Sequence, residues 1–241
     1  NASNIIFDCN GYNITNNGIS GYTAGIALNG SAYNATIKNC PGVSGYQYGI
    51  VSYNSDNATF SNVTTYNSTL AGVRLVGSVN NTFNNTVSYN NTHGYYLFTG
   101  GQSNRFFNAT IFNNTGNGFY IWRTSDTRMI GGHFFNNSQD FYISAFTSTI
   151  NVNLTTVIFD NPTGNYSNYT NLSLTDSLSS AEFALNWSRQ LGTIPTGYFS
   201  FANKHLNITN ASGVISINSI IWHWKDSELG STYDESQFEL W

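Results

Sequence analysis

Charge is what this sequence has least of. Asp, Glu, Lys and Arg make up 8% of its 241 residues, against roughly a quarter in an ordinary soluble domain. Something other than charge must keep its surface in solution. The eight basic residues (Lys38, Arg74, Arg105, Arg123, Arg128, Arg189, Lys204, Lys225) form no run able to neutralise a phosphate backbone, and the net charge is only −4. Nucleic acid is therefore excluded as an expected partner. No segment approaches the roughly 18 apolar residues of a membrane span, and Asn1 follows no leader, as expected of a mature or truncated end. Cysteine is limited to Cys9 and Cys40. The pair is compatible with one disulfide in an oxidising compartment or with two buried thiols.

Apolar residues reach 40% and aromatics 16%, too much for a disordered chain. They recur with a period of 23. Ile37, Phe60, Phe83, Phe106 and Met129 fall in unbroken succession, and the spacing reads them as a stack of inward side chains. A second column is Tyr66, Tyr89, Phe112 and Phe135. A third runs Ile50, Val73, Tyr96, Phe119 and Tyr142, with Leu75, Phe98 and Ile121 two residues further on. Alternation at i and i+2, punctuated by Asn and Gly, is strand periodicity. Three columns predict three strands per coil and a parallel β-helix of about seven coils over residues 1–164, a rod about 34 Å long. Asn39, Asn62, Asn85 and Asn108 keep the same period, and an amide both donates and accepts, so a hydrogen-bonded Asn ladder is expected along a bend.

The opening Ile5-Ile6-Phe7-Asp8-Cys9-Asn10-Gly11-Tyr12-Asn13-Ile14, the repeated Gly-Ile at 25–26 and 49–50, Ile37-Lys38-Asn39-Cys40 and the Asn-Asn-Thr coil ends resemble secreted archaeal cell-surface proteins. Their repeats are those of the NosD-like and carbohydrate-binding/sugar-hydrolase group. The resemblance covers about two thirds of the chain and implies a right-handed helix and an extracellular, cell-surface location. It does not choose an activity, because the group holds enzymes, binding proteins and purely structural coils.

Asn-x-Ser/Thr is the other dense signal, and its acceptor must be accessible in a translocated protein. Twenty sequons occur: Asn1, Asn13, Asn29, Asn34, Asn57, Asn62, Asn67, Asn80, Asn84, Asn90, Asn108, Asn113, Asn136, Asn153, Asn165, Asn168, Asn171, Asn186, Asn207 and Asn210. With 37 Asn and 54 Ser plus Thr, about eight would arise by chance. Asn34, Asn57 and Asn80 form one 23-residue column; Asn67, Asn90, Asn113 and Asn136 form another, for which an internal ladder is the competing reading. An N-glycan coat would supply the missing surface polarity.

After Asn161-Pro162-Thr163-Gly164 the period ends. Short alternating runs such as Val214–Ile220 predict a small antiparallel β-sandwich over 165–241 that caps the solenoid. The first coil shows no such cap, which motivates self-association into a filament or lattice.

Catalytic clusters are sparse. Asp8, Asp56, Asp126, Asp140 and Asp160 are the only acids of the solenoid, and no two share a column on adjacent coils, so no glycosidase carboxylate pair and no catalytic residue is assigned. Arg105 and Arg128, with Arg123, Asp126 and His133, could bind a sugar acid but read first as a solvated, salt-linked face. His93, His133, His205 and His223 lack mutual metal spacing, and Asp226, Glu228, Asp234 and Glu235 lack the oxygen spacing of a calcium loop. There is no phosphate-binding loop and no G-x-S-x-G. No metal and no cofactor is expected. The sequence thus points to a heavily N-glycosylated extracellular scaffold or adhesin, a subunit of a filament, sheath or surface layer. The alternatives are a polysaccharide-binding or polysaccharide-degrading β-helix and a viral host-recognition spike.

Overall fold

The structure, a computed structural model, describes residues 3–18, 23–30, 32–145, 149–159, 170–187, 196–197, 199, 206–223 and 234–238. Its first strands are Ile6–Asp8 (β1), Ile14–Thr15 (β2), Ala24–Asn29 (β3), Thr36–Ser44 (β4), Tyr48–Tyr53 (β5), Thr59–Tyr66 (β6) and Ala71–Val76 (β7). Next come Thr82–Asn84 (β8), Val87–Tyr89 (β9), His93–Phe98 (β10), Arg105–Phe112 (β11), Asn117–Trp122 (β12), Thr127–Phe135 (β13), Gln139–Ser144 (β14) and Thr149–Phe159 (β15). Thr170–Ser179 (β16), Glu182–Trp187 (β17), Leu206–Ser212 (β18) and Ser219–His223 (β19) complete the strands.

One sheet runs β1-β4-β6-β8-β11-β13-β15-β16-β19, and the other runs β18-β17-β14-β12-β10-β7-β5-β3. From β1 to β15 the pairings are parallel and join residues one coil apart, as in Phe60↔Phe83 and Phe106↔Met129. The fold is a parallel β-helix of about 23 residues per coil. Each coil has three strand segments because a left-handed residue divides its first sheet strand: Asn85 separates β8 from β9, and Asn62 and Asn108 bend β6 and β11.

Left-handed backbone recurs at fixed places on every coil. Asn34, Asn57, Asn80, Ser103 and Asp126 occupy one column, Asn67, Asn90, Asn113 and Asn136 another, all with φ between 50° and 56°. Such a conformation costs an L-residue roughly 1–2 kcal/mol, and Asn tolerates it best because its short amide can bond locally. The corners therefore select asparagine.

The first apolar column is the core's axis. Ile37, Phe60, Phe83, Phe106 and Met129 are buried, with Phe60 and Phe83 stacked at 4.4 Å and Phe83 and Phe106 at 5.0 Å. Tyr95 meets Phe83 and Phe106 edge-on, and its buried phenol donates to Thr86 Oγ1 at 2.6 Å, so its polar end is satisfied. Stacked and edge-on pairs add about 0.5–1.5 kcal/mol each beyond area burial.

Two columns differ from expectation. Tyr66, Tyr89, Phe112 and Phe135 keep the period and stack at 5.1, 4.8 and 4.5 Å, but they are half-buried. Thr65, Ser88, Ile111 and Phe134 beside them face the interior. The third column mixes two faces. The inward residues in register are Ile50, Val73, Tyr95, Phe119 and Phe141, whereas Tyr96 and Tyr142 stand outside with Phe98. Strands β10 and β14 begin one residue early, and a one-residue slip reverses every side chain of a strand.

The expected Asn ladder lies on the outer surface: Asn62 Nδ2 donates to Asn39 Oδ1 at 3.4 Å and Asn108 Nδ2 to Asn85 Oδ1 at 3.3 Å. Two further ladders, which the period alone did not single out, are buried except at Asn137, which is half-buried. Asn81 and Asn104 form one: Asn104 Oδ1 accepts from the Asn81 backbone N–H at 3.0 Å, and Asn104 Nδ2 donates to Ser78 O at 3.0 Å. Asn91, Asn114 and Asn137 form the other: Asn114 Oδ1 accepts from the Asn91 N–H at 3.1 Å and Asn137 Oδ1 from the Asn114 N–H at 3.2 Å. None of these five is a sequon acceptor. Near the start, Cys9 and Cys40 form a disulfide with Cα atoms 4.9 Å apart.

Past residue 165 the described strands lengthen the solenoid's own sheets. β16 pairs antiparallel with β15 and then β19, and β17 pairs antiparallel with β14 and then β18. The capping strands thereby cover both last parallel edges.

Replacing Asn114 with Ala orphans the buried Asn91 N–H, so stability falls by about 1–3 kcal/mol, read as a lower urea midpoint. Its outward neighbour Asn113, whose left-handed backbone glycine accepts, changes by less than about 0.5 kcal/mol as Asn113→Gly.

Candidate functional site: an outward aromatic face

The slip in β10 and β14 turns large rings into solvent. Tyr95 and Leu97 of β10, Phe119 and Ile121 of β12, and Phe141 and Ile143 of β14 fill the core. Alternation then sets Tyr96, Phe98, Tyr120, Trp122 and Tyr142 on the outer face of the second sheet. Registers Arg74↔Tyr96↔Tyr120↔Tyr142 and Val76↔Phe98↔Trp122↔Ser144 make two adjacent rows across four strands.

The rings are fixed by one another. Tyr96 and Tyr120 stack at 4.8 Å, Phe98 meets Trp122 edge-on at 4.4 Å, and Tyr120 meets Tyr142 edge-on at 5.1 Å. At one end the Arg74 guanidinium lies 4.9 Å from the Tyr48 ring centre, 5.3 Å from Phe98 and 5.8 Å from Tyr96, and Nη1 donates to the Tyr48 hydroxyl at 2.7 Å. At the other end Glu182 of β17 accepts from the Tyr142 hydroxyl and from Ser144 Oγ, each at 2.8 Å.

Burial, then Tyr120, raises the Tyr96 phenol well above its ordinary range, with Arg74 acting the other way. Burial and the Glu182 carboxylate raise Tyr120, and burial followed by the Glu182 hydrogen bond and charge brings Tyr142 to about 12. These phenols stay neutral near pH 7 and can both donate and accept. His93 borders the face. Its Nδ1 accepts from the Asn117 N–H at 3.1 Å, its ring touches Tyr96 and Tyr120, and burial lowers its pKa.

The basic constellation found in the sequence is divided between the sheets: Arg123, half-buried, follows β12 of the second sheet and its backbone N–H donates to Ser144 O at 2.9 Å, while the other members lie on or beside the first sheet. Arg105 and Arg128 are in register and exposed, Asp126 Oδ1 accepts from Asn151 Nδ2 at 2.9 Å, and the His133 ring packs on Phe135 at 4.8 Å. Asp126 and Arg128 border a shallow cleft of about 410 Å³ with Asn151, Asn153, Thr175 and Asn218. Asp176 also lines this cleft; it is buried, and burial raises its pKa while the backbone N–H groups of Asn218 and Ser177 act the other way. The Asp226 and Glu228 end of the acidic tail, His205 and the His223 side chain lie outside the described residues.

Of the sequon asparagines, Asn13, Asn29, Asn34, Asn62, Asn67, Asn80, Asn84, Asn90, Asn108, Asn113, Asn136, Asn153, Asn207 and Asn210 are exposed, and Asn57 is half-buried. Asn1, Asn165, Asn168 and the side chains of Asn171 and Asn186 lie outside the described residues.

A right-handed β-helix region matches residues 24–187, more than half of the chain. The chain belongs to the right-handed β-helix family. No curated protein and no solved structure matches it. Residues 24–187 of this β-helix protein take in the whole aromatic face, from Tyr48 to Glu182.

Glu182→Gln removes the charge that helps hold up the Tyr142 phenol. The Tyr142 pKa therefore falls from about 12 toward the ordinary tyrosine value of 10.0. Ultraviolet titration of the tyrosinate band, compared with Tyr142→Phe to assign the transition, reads the shift.

Proposed function

We propose that this chain is an extracellular, N-glycosylated adhesive β-helix that holds polysaccharide along its aromatic face and carries out no chemistry on it. The observation that carries this reading is the pair of outward rows running from Arg74 to Ser144. Ring faces and edges offer apolar contact to the C–H surfaces of sugar rings, while neutral phenols meet sugar hydroxyls. Within each row successive positions repeat at the strand spacing of about 4.8 Å, comparable to one monosaccharide of an extended chain. The surrounding rings are already packed against each other, so little side-chain entropy is lost on binding. A binding role is favoured over a glycosidase because the face holds one carboxylate, Glu182, among the described residues, and hydrolysis uses two. The exposed sequon acceptors support the glycan coat, and the two cysteines joined as a disulfide suit an oxidising compartment.

Affinity electrophoresis against a panel of soluble polysaccharides tests the reading. At least one retards the native chain, and the Tyr120→Ala/Trp122→Ala double variant weakens that binding by about tenfold or more, a loss of about 1.4 kcal/mol typical of buried aromatic anchors. Unchanged binding in the double variant overturns the site, and a native chain retarded by none overturns the function.

A second reading, association of two copies by their first coils, is favoured by Ile6 and Phe7, which stand 71% and 45% exposed on edge strand β1. Under it, the sedimentation coefficient rises with concentration and Ile6→Lys abolishes the rise.

A further inference from the structure

Arg74 is held in an unusual way for a surface cation. Its guanidinium is seated among Tyr48, Tyr96 and Phe98, one Nη1 hydrogen is committed to the Tyr48 hydroxyl, and Nε is buried with no acceptor. No carboxylate pairs with it among the described residues. By contrast, Lys38 lies 3.2 Å from Asp8. An arginine keeps its charge at every accessible pH and presents a planar fork suited to carboxylate or sulfate oxygens. The rings around it exclude water from part of the guanidinium, which strengthens attraction for an anion brought to the remaining Nη hydrogens. They also lock its position, so the fork is pre-organised.

The site is polarised. Glu182 closes the opposite end of the face, and β7, carrying Arg74, is separated from β17, carrying Glu182, by β10, β12 and β14. Four strand spacings amount to about 19 Å. Both Glu182 oxygens already accept hydrogen bonds and suit sugar hydroxyls rather than a second anion.

We infer that Arg74 is the anion subsite of the aromatic face, and that the polysaccharide held there is acidic, its carboxylate or sulfate ester docking on the guanidinium. This rests on the polysaccharide-binding reading above and adds the class of chain it takes.

The test uses the full chain in affinity electrophoresis with four probes: polygalacturonate, its carboxyl-reduced neutral form, dextran sulfate and dextran. The native chain binds one acidic member about tenfold or more tighter than its neutral partner, the worth of one charge-assisted hydrogen bond, and 0.5 M salt, used here as a roughly 4 Å screening length, removes most of that preference. Whichever acidic probe shows the preference separates carboxylate from sulfate. Arg74→Gln abolishes the preference, read as the ratio of acidic to neutral affinity within the same variant so that a loss common to both partners cancels; Arg74→Lys keeps part of it. Native binding that does not distinguish acidic from neutral partners, or an Arg74→Gln chain with the preference intact, overturns the anion subsite and leaves the polysaccharide reading standing if Tyr120→Ala/Trp122→Ala still weakens binding. Failure of all four probes to bind the native chain overturns the acidic-chain inference, and the wider panel then decides the polysaccharide reading by itself. An Arg74→Gln chain that loses neutral and acidic binding together, with Arg74→Lys restoring neither, assigns Arg74 to holding the face and overturns the inference.

Discussion

Everything in this molecule depends on what happens at its corners. A coil of about 23 residues has to turn repeatedly, and each turn interrupts the strand ladder, leaving backbone N–H and C=O groups without their usual partners inside a dry core. The chain meets this with two residues in sequence. The first, Asn80, Asn90, Asn113 or Asn136, takes the left-handed conformation and looks outward. The second, Asn81, Asn91, Asn114 or Asn137, turns inward and binds backbone groups of neighbouring coils. The stacked aromatics of the core can be continuous only because these amides keep successive turns at the same height. Removing one leaves a buried donor unsatisfied in a stack where each coil is the template for the next.

This explains what could be read from the sequence. Strand segments of the first sheet lie between two corners of constant length, so Ile37, Phe60, Phe83, Phe106 and Met129 stay 23 apart and declare the core directly. The corner pairs were visible as Asn-Asn-Thr, but the same three letters spell a sequon. Only the structure separates the roles, with the acceptor outside at φ near 55° and the ladder residue inside. Part of the sequon excess thus has a source in the backbone: Asn for the left-handed turn, Asn or Ser for the ladder, Thr to enter a strand. The exposed acceptors Asn207 and Asn210 stand on β18, outside the repeat, and owe nothing to that requirement.

The aromatic face was not legible for the complementary reason. From the inner corner residue to the start of the second-sheet strand, the chain advances three residues from Ser68 to Ala71, two from Asn91 to His93, three from Asn114 to Asn117 and two from Asn137 to Gln139. The loss before β10 is repaid after it, where Thr99 and Gly100 are both left-handed and Phe98 precedes the Gln102 bridge by four residues, against three from Val76 to Val79. The overall period survives while the phase within one strand shifts. A fixed 23-residue ruler therefore placed Tyr96, Phe98 and Tyr142 in the core, and with them outside, Tyr95 and Phe141 fill it instead. A ruler cannot detect a shift that is cancelled before the next corner, though the pattern of two large rings followed by apolar alternation in Tyr95-Tyr96-Leu97-Phe98 carries the ambiguity openly.

The corners also frame the face. Each of the second-sheet strands β7, β10, β12 and β14 runs from a left-handed corner of the Asn67, Asn90, Asn113 and Asn136 column, and all four corner residues are exposed sequon acceptors. At its far end it meets the other column, where Asn57 follows β5 and Asn80 follows β7, both acceptors. After β10 and β12 that column changes to Ser103 and Asp126, which keep the left-handed backbone but cannot carry an N-glycan. Those are the two strands that bear Phe98 and Trp122 in their last positions. Left-handed geometry penalises serine there more than asparagine, so local backbone energetics favour Asn at Ser103, and the absence of the acceptor runs against that preference. A glycan at either position would stand beside the widest rings of the face. The column departs from asparagine after β10 and β12, so the acceptor-free stretch coincides with Phe98 and Trp122, whereas Tyr53, the exposed ring that ends β5 in register with Val76, is followed by the acceptor Asn57 and lies at the glycan-bearing end of the row.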